Sequence, residues 1–137
     1  MSEYFGAMGT ALFSTLAAGT ALVAELGGTL IYRDHPPEGA ERPYVIFSHA
    51  AGGPENLTKN NIRSNLWLVR GYAATRGKAV AIDREIDALL DRKSLTISGN
   101  TNFWTAREED VETAEAQPNN ERIYSNGGFY RYRITDG

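Results

Sequence analysis

Two histidines, His35 and His49, are the chain's only imidazoles, so histidine general-base or metal chemistry would have to run through them. His35 follows Asp34 and precedes Pro36 and Pro37, the setting of an exposed turn histidine rather than a base held in a pocket. His49 adjoins Ser48, but neighbouring side chains in an extended segment point to opposite faces, and no oxyanion motif accompanies the pair. The two histidines also lack the i, i+4 spacing that puts two metal ligands on one helix face. The glycine pairs at 27–28, 52–53 and 127–128 have no phosphate-loop spacing and no Gly-Lys-Ser or Gly-Lys-Thr behind them, so they read as turns. With no cysteine, thiolate zinc sites, cysteine nucleophiles and disulfides are all excluded, and the chain suits a reducing cytosol. These residues predict no catalytic group, no metal site and no cofactor.

Carboxylates offer more. Asp83, Asp87 and Asp91 are successive i, i+4 neighbours, a like-charge stripe that costs about a few tenths of a kcal/mol per pair in an isolated helix. Solvent and intrahelix partners such as Arg84 and Lys78 are the plain explanation; basic residues of another copy of the chain are the sharper one, which makes the stripe a candidate subunit interface. Glu108, Glu109, Asp110, Glu112 and Glu115 form a second acidic run. It reads as a solvated hairpin tip, or, in a ring, as the lining of a channel that keeps DNA phosphates from sticking.

The elements that must position these residues follow from periodicity. Leu12, Phe13, Leu16, Thr20 and Val23 recur at helical spacing, with Gly19 as a break and Gly27–Gly28 as a stop. A short strand over 29–33 precedes an irregular link through Pro36 and Pro37. Tyr44 to Phe47 reads as a buried, central strand. The segment 49–61, rich in glycine, alanine and asparagine, predicts a long mobile loop. Residues 62–69 alternate as a strand with one face on the core. Thr75 is a plausible cap for the helix over 78–92, where Ala79, Ile82, Ile86, Leu89 and Leu90 share one face. A short strand over 95–98 leads to two extended stretches over 103–134, joined by a polar segment around Pro118 and broken again at Gly127–Gly128. In the last of these, Tyr130, Tyr132 and Ile134 alternate with Phe129, Arg131 and Arg133. The order of elements predicts an α+β fold, a mainly antiparallel sheet with helices on one face and a C-terminal β-hairpin.

At 137 residues the chain fits one domain over 1–137, able to bury roughly two thirds of its unfolded surface. The net charge of −3 comes from interspersed acids and bases, which disfavours DNA or membrane binding as the main task. From Tyr4 to Ala24 no residue is charged, yet Ala, Gly, Thr and Ser dominate, Glu3 stands where a signal peptide carries a base, and no membrane role is expected.

Three segments carry a resemblance: ALVAELGGTLIYRDHPPEGAERPYVIF, RGKAVAIDREIDALLD and the closing GGFYRYRI. In order and pattern they resemble the tail-completion, or tail terminator, proteins of long-tailed bacteriophages. The N-terminal SEYFGAMG and the acidic tract after Trp104 have no counterpart in that pattern. The resemblance implies a structural virion protein assembled in the bacterial cytoplasm. It implies a homo-oligomeric ring, commonly hexameric, that caps the tail tube protein, ends tube polymerisation and meets the head–tail connector or adaptor while DNA passes through. Trp67, Tyr130 and Tyr132 would be candidate anchors between subunits where exposed, though each suits the core better. The rival expectations are a head-completion adaptor of the phage neck, and a small ligand-binding or enzymatic domain built on the 49–61 loop.

Overall fold

In a computed structural model of the chain, residues 2–54, 62–97, 99–116 and 122–136 are described. Helix α1 (Ser2–Ala17) buries Met8, Leu12 and Leu16, spaced four apart, while Phe13 turns outward. Gly19 caps a second helix, α2 (Thr20–Leu26), set at 80° to the first. That bend resets the helical phase, so Leu22 and Leu26 take the buried positions rather than Thr20 and Val23. Gly27, at φ 78°, closes α2 in the left-handed conformation, its N–H reaching the Val23 carbonyl at 2.9 Å. Among the described residues no single helix is long and apolar enough to cross a membrane; the bent pair passes on length and composition, but its leucines lie in the core.

Six strands follow: β1 (Ile31–Arg33), β2 (Tyr44–Pro54), β3 (Ile62–Ala73), β4 (Thr96–Ile97), β5 (Asn100–Ala116) and β6 (Arg122–Asp136). Helix α3 (Arg76–Leu90) falls between β3 and β4, its start capped by the Thr75 hydroxyl, which accepts the Lys78 N–H at 3.2 Å. The sheet order is β1-β2-β3-β6-β5-β4, with β1 parallel to β2 and every other pair antiparallel. This is the α+β arrangement expected, with the C-terminal hairpin formed by β5 and β6.

One face of the sheet carries the core. Val45 and Phe47 of β2, Trp67 and Val69 of β3, and Tyr130, Tyr132 and Ile134 of β6 are buried against the apolar sides of α1, α2 and α3. The alternation read in 62–69 holds, with Asn65, Trp67, Val69 and Ala73 pointing inward. Ile82 of α3 sits directly over Gly71, where a Cβ would lie 2.3 Å from its Cγ2, so the glycine lets the helix settle onto the sheet.

Two expectations fail here. Residues 49–54 are not loop but the second half of β2, paired with 63–67 of β3 through a bulge between His49 and Ala51; residues 55–61 lie outside the described residues. Weak strand formers are held extended because a full-length neighbour offers them a ladder. Gly127 and Gly128 do not break β6 either. They pair with Arg70 and Val69 on one side and with Val111 and Asp110 on the other. A Cβ at Gly127 would lie 2.2 Å from the Val69 carbonyl oxygen, and one at Gly128 2.5 Å from Arg107 Nε. The pair permits close approach rather than a turn. The polar link around Pro118 also lies outside the described residues.

Gly127→Ala should therefore cost ~3 kcal/mol in urea unfolding, because the added methyl meets backbone that cannot yield. Gly53→Ala, with nothing within 4 Å of the new Cβ, should stay within ~0.5 kcal/mol of wild type.

Candidate functional site

The most concentrated polar chemistry lies where α3 crosses the outer hairpin. Arg107 of β5 points to the helix side, opposite Tyr130 of β6, and its side chain is only 14% exposed. Its guanidinium grips Asp83 with both carboxylate oxygens, at 2.8 and 3.0 Å, and donates to the Gly127 carbonyl at 2.8 Å, to Asp110 at 2.7 Å and to the Tyr130 hydroxyl at 3.0 Å. The Tyr130 hydroxyl in turn donates to Asp87 at 3.0 Å. Asp91 accepts the backbone N–H of Arg107 at 3.0 Å. Asp87 also lies 3.4 Å from the Arg107 guanidinium, so all three members of the acidic stripe are answered by Arg107 of the same chain, Asp87 with Tyr130 beside it. The cation that the sharper reading sought in another copy is supplied internally, and Lys78, considered as an intrahelix partner, instead pairs with Glu25 of α2 at 2.8 Å.

Burial works against the charge of Arg107, but the hydrogen bonds and charges of Asp83, Tyr130 and Asp110 more than offset it, and its pKa is raised further. Burial pushes the Tyr130 hydroxyl well above its ordinary range, outweighing the opposing pull of Arg107. Tyr132 is raised in the same direction, again by burial first. Both rings are fully buried, as is Trp67, so none of the three is at the surface where a second copy could reach it.

The acidic run lies on the strand rather than at a hairpin tip. A bulge at Glu108 and the pleat distribute it over two faces. Asp110 binds Arg107, and Glu112 accepts from Asn126 at 3.0 Å on the helix side. Glu108 pairs with Arg131 at 2.6 Å, while Glu109 and Glu115 are exposed in register with Phe129 and Ile123. Arg76, the first residue of α3, secures the same hairpin by donating to the Thr113 carbonyl at 3.1 Å and to Asn126, its charge 4.8 Å from the centre of the Tyr124 ring.

The histidines do not join this cluster. His35 is exposed in the link after β1, and His49 lies edge-on to the Trp67 ring at 5.2 Å. Among the described residues no three His, Asp or Glu gather as metal ligands. Periodicity could not reveal Arg107, because nothing in a lone arginine on an acidic strand announces a partner 24 residues earlier.

An open six-stranded sheet backed by helices, with its polar clusters tying helix to hairpin, defines an α+β fold. The chain belongs to the tail completion protein gp17 family, whose sequence model matches residues 10–124; this is a family of structural phage proteins. A search of curated proteins returned no match. Among solved structures, a chain of the native gene transfer agent particle virion superposes with a TM-score of 0.76 at 18% identity, covering 96% of this chain and 97% of that one. The gp17 protein of bacteriophage SPP1 superposes with a TM-score of 0.51 at 18% identity, covering 96% of this chain and 89% of its own. At that identity the likeness is one of fold.

Arg107→Ala should destabilise the chain by ~3 kcal/mol in urea unfolding, since it leaves Asp83, Tyr130 and the Gly127 carbonyl without their donor. Arg107→Lys should recover only part, because an ammonium cannot make the two-pronged contact; a loss under ~1 kcal/mol for the alanine variant would contradict this account. Folded-state tyrosine pKa values above the unfolded value mean stability is full below pH ~10 and falls as pH rises beyond it. In an alkaline titration of tyrosinate absorbance, Tyr130 and Tyr132, two of the seven tyrosines, should ionise only as the chain unfolds.

Proposed function

We propose that the chain is a tail terminator subunit that closes into a ring, hexameric as in the resemblance above, caps the tail tube and ends its polymerisation. The ring's other face meets the head–tail connector, and DNA passes through without specific binding. The observation that carries this reading is the family match over 10–124 in a chain whose sheet is open at both ends. Among the described residues, β1 covers only Val45 to Phe47 of β2, and β4 covers only Asn100 and Thr101 of β5. Long strand edges on opposite sides of one subunit suit head-to-tail contacts, which close into a ring when the rotation fits. The exposed carboxylates of β5 give that arm a negative surface that disfavours adhesion of DNA phosphates. A place in the virion, at the tail end nearest the head, follows from the same reading.

Purified chain, alone and mixed with assembled tail tubes, should give rings by negative-stain imaging and a matching oligomer mass by light scattering. Antibody labelling of whole particles should mark the head–tail junction. A chain that stays solitary beside tubes, or labels elsewhere in the particle, would sink the proposal.

A further inference from the structure

Among the described residues, two that are not glycine adopt a positive φ, Asp34 at 69° and Arg92 at 57°. Such backbone is costly for a residue with a side chain and persists where the surroundings hold it. Asp34 follows β1 and Arg92 precedes β4, the strands at the two edges of the sheet, and both residues are exposed. They carry opposite charges.

Arg92 belongs to a cleft of about 380 Å³ between the α3–β4 connection and β5. Arg92 and Lys93 line one wall, Phe103 and Trp104 the other, and the lining holds no carboxylate. The two rings are 44% and 42% exposed, because the bulge between Asn102 and Trp104 turns out two consecutive aromatics where a regular strand would show one. Arg133 backs them, its charge 5.1 Å from the Phe103 ring centre and 6.0 Å from that of Trp104. Buried Asn102 ties the walls together. Its side-chain oxygen accepts the Leu95 N–H at 2.8 Å and the Thr105 hydroxyl at 3.0 Å, while its nitrogen donates to the Trp104 carbonyl at 3.0 Å and the Arg133 carbonyl at 3.1 Å. The width of this cationic, aromatic slot is therefore set from within the fold.

Asp34 opens the link from β1 to β2. Residues 34–41 carry three carboxylates, Asp34, Glu38 and Glu41, all exposed, and no lysine or arginine. The Asp34 N–H bonds the Phe47 carbonyl at 2.9 Å, and the His35 N–H turns back to the Arg33 carbonyl at 2.8 Å. Further on, the Ala40 N–H closes a tight turn on the Pro37 carbonyl at 3.1 Å, with Glu38 at its corner and Gly39 at φ 81°. Pro36 and Pro37 restrict the chain between these two anchors. The link is an ordered acidic finger, so seating it costs little conformational entropy.

We propose that the 34–41 finger of one copy seats in the 92–94/103–106 cleft of the next, its prolines against Phe103 and Trp104 and its carboxylates against Arg92 and Lys93, as the repeating joint of the ring. The inference rests on the ring reading above and adds which surfaces meet. Charge complementarity selects the occupant: an anionic segment for a slot lined by cations. The exposed carboxylates of β5 share a strand with the cleft, so using them would lay like edges together, an isologous pairing that stops at two copies. The finger lies beyond the opposite edge, and each subunit then offers both halves of a head-to-tail contact.

The chain has no cysteine, so an Ala40→Cys, Ser94→Cys double variant places one thiol at each half of the joint and keeps its charges and rings. A short bis-maleimide should convert it into a covalent ladder ending at the ring, with each single variant giving none. Trp104→Ala, checked for native circular dichroism, should weaken association roughly tenfold or more by sedimentation. Glu38→Lys should weaken it roughly fivefold at low salt and less at high salt, and adding Lys93→Glu should restore it. Rings that form with no ladder, and with association unchanged in the Trp104→Ala and Glu38→Lys variants, would overturn the joint and leave the ring standing. Cross-links from residue 94 to the tube protein instead of to a second copy would overturn the joint as well. A wild-type chain that never oligomerises, even beside tubes, would overturn both.

Discussion

Arg107 is the main polar tie between the helix layer and the outer half of the sheet. Helix α3 brings three aspartates to one face, a placement that repels itself unless a cation lies over it. Arg107 supplies that cation from β5, and its own backbone N–H is taken by Asp91. Backbone and side chain of the same residue therefore clamp the hairpin to the helix from two directions. Because the guanidinium also reaches Gly127 and Tyr130 of β6, the register of both hairpin strands against α3 is fixed at one place.

That clamp explains why glycine stands beside it. Gly128 leaves room for the guanidinium, and Gly127 leaves room for β3 on the other side. A side chain at either position would push Arg107 or the neighbouring strand away, so a polar network and a close backbone approach are two aspects of one constraint. Arg76 repeats the device at the start of α3, where the helix is tied to 113 and 126 of the same hairpin. The outer hairpin is thus tied to α3 at two places along its length.

What this arm leaves uncovered bears on assembly. The core is complete on the helix side, with Trp67, Tyr130 and Tyr132 sealed within it. The strand edges left uncovered by the short β1 and β4, and the exposed aromatics Phe13, Phe103 and Trp104, are what the single chain leaves at its surface.

The amphipathic spacing in 78–92 and the alternation in 62–69 and 129–134 were legible in the sequence, because helix and strand periods are local and the core needs them in phase. The absence of cysteine and the break at Gly19 were equally plain. The path of 49–54 and of Gly127–Gly128 was not. Glycine and alanine signal turns when read locally, and only neighbours far along the chain, Arg63 to Trp67 for one and Val69 to Arg70 for the other, make extended structure the better outcome. The acidic stripe was visible as a charge without an answer. That its answer is Arg107 was decided by the tertiary structure alone, since the bulges of β5 set which way that side chain faces and no periodicity in the sequence encodes them.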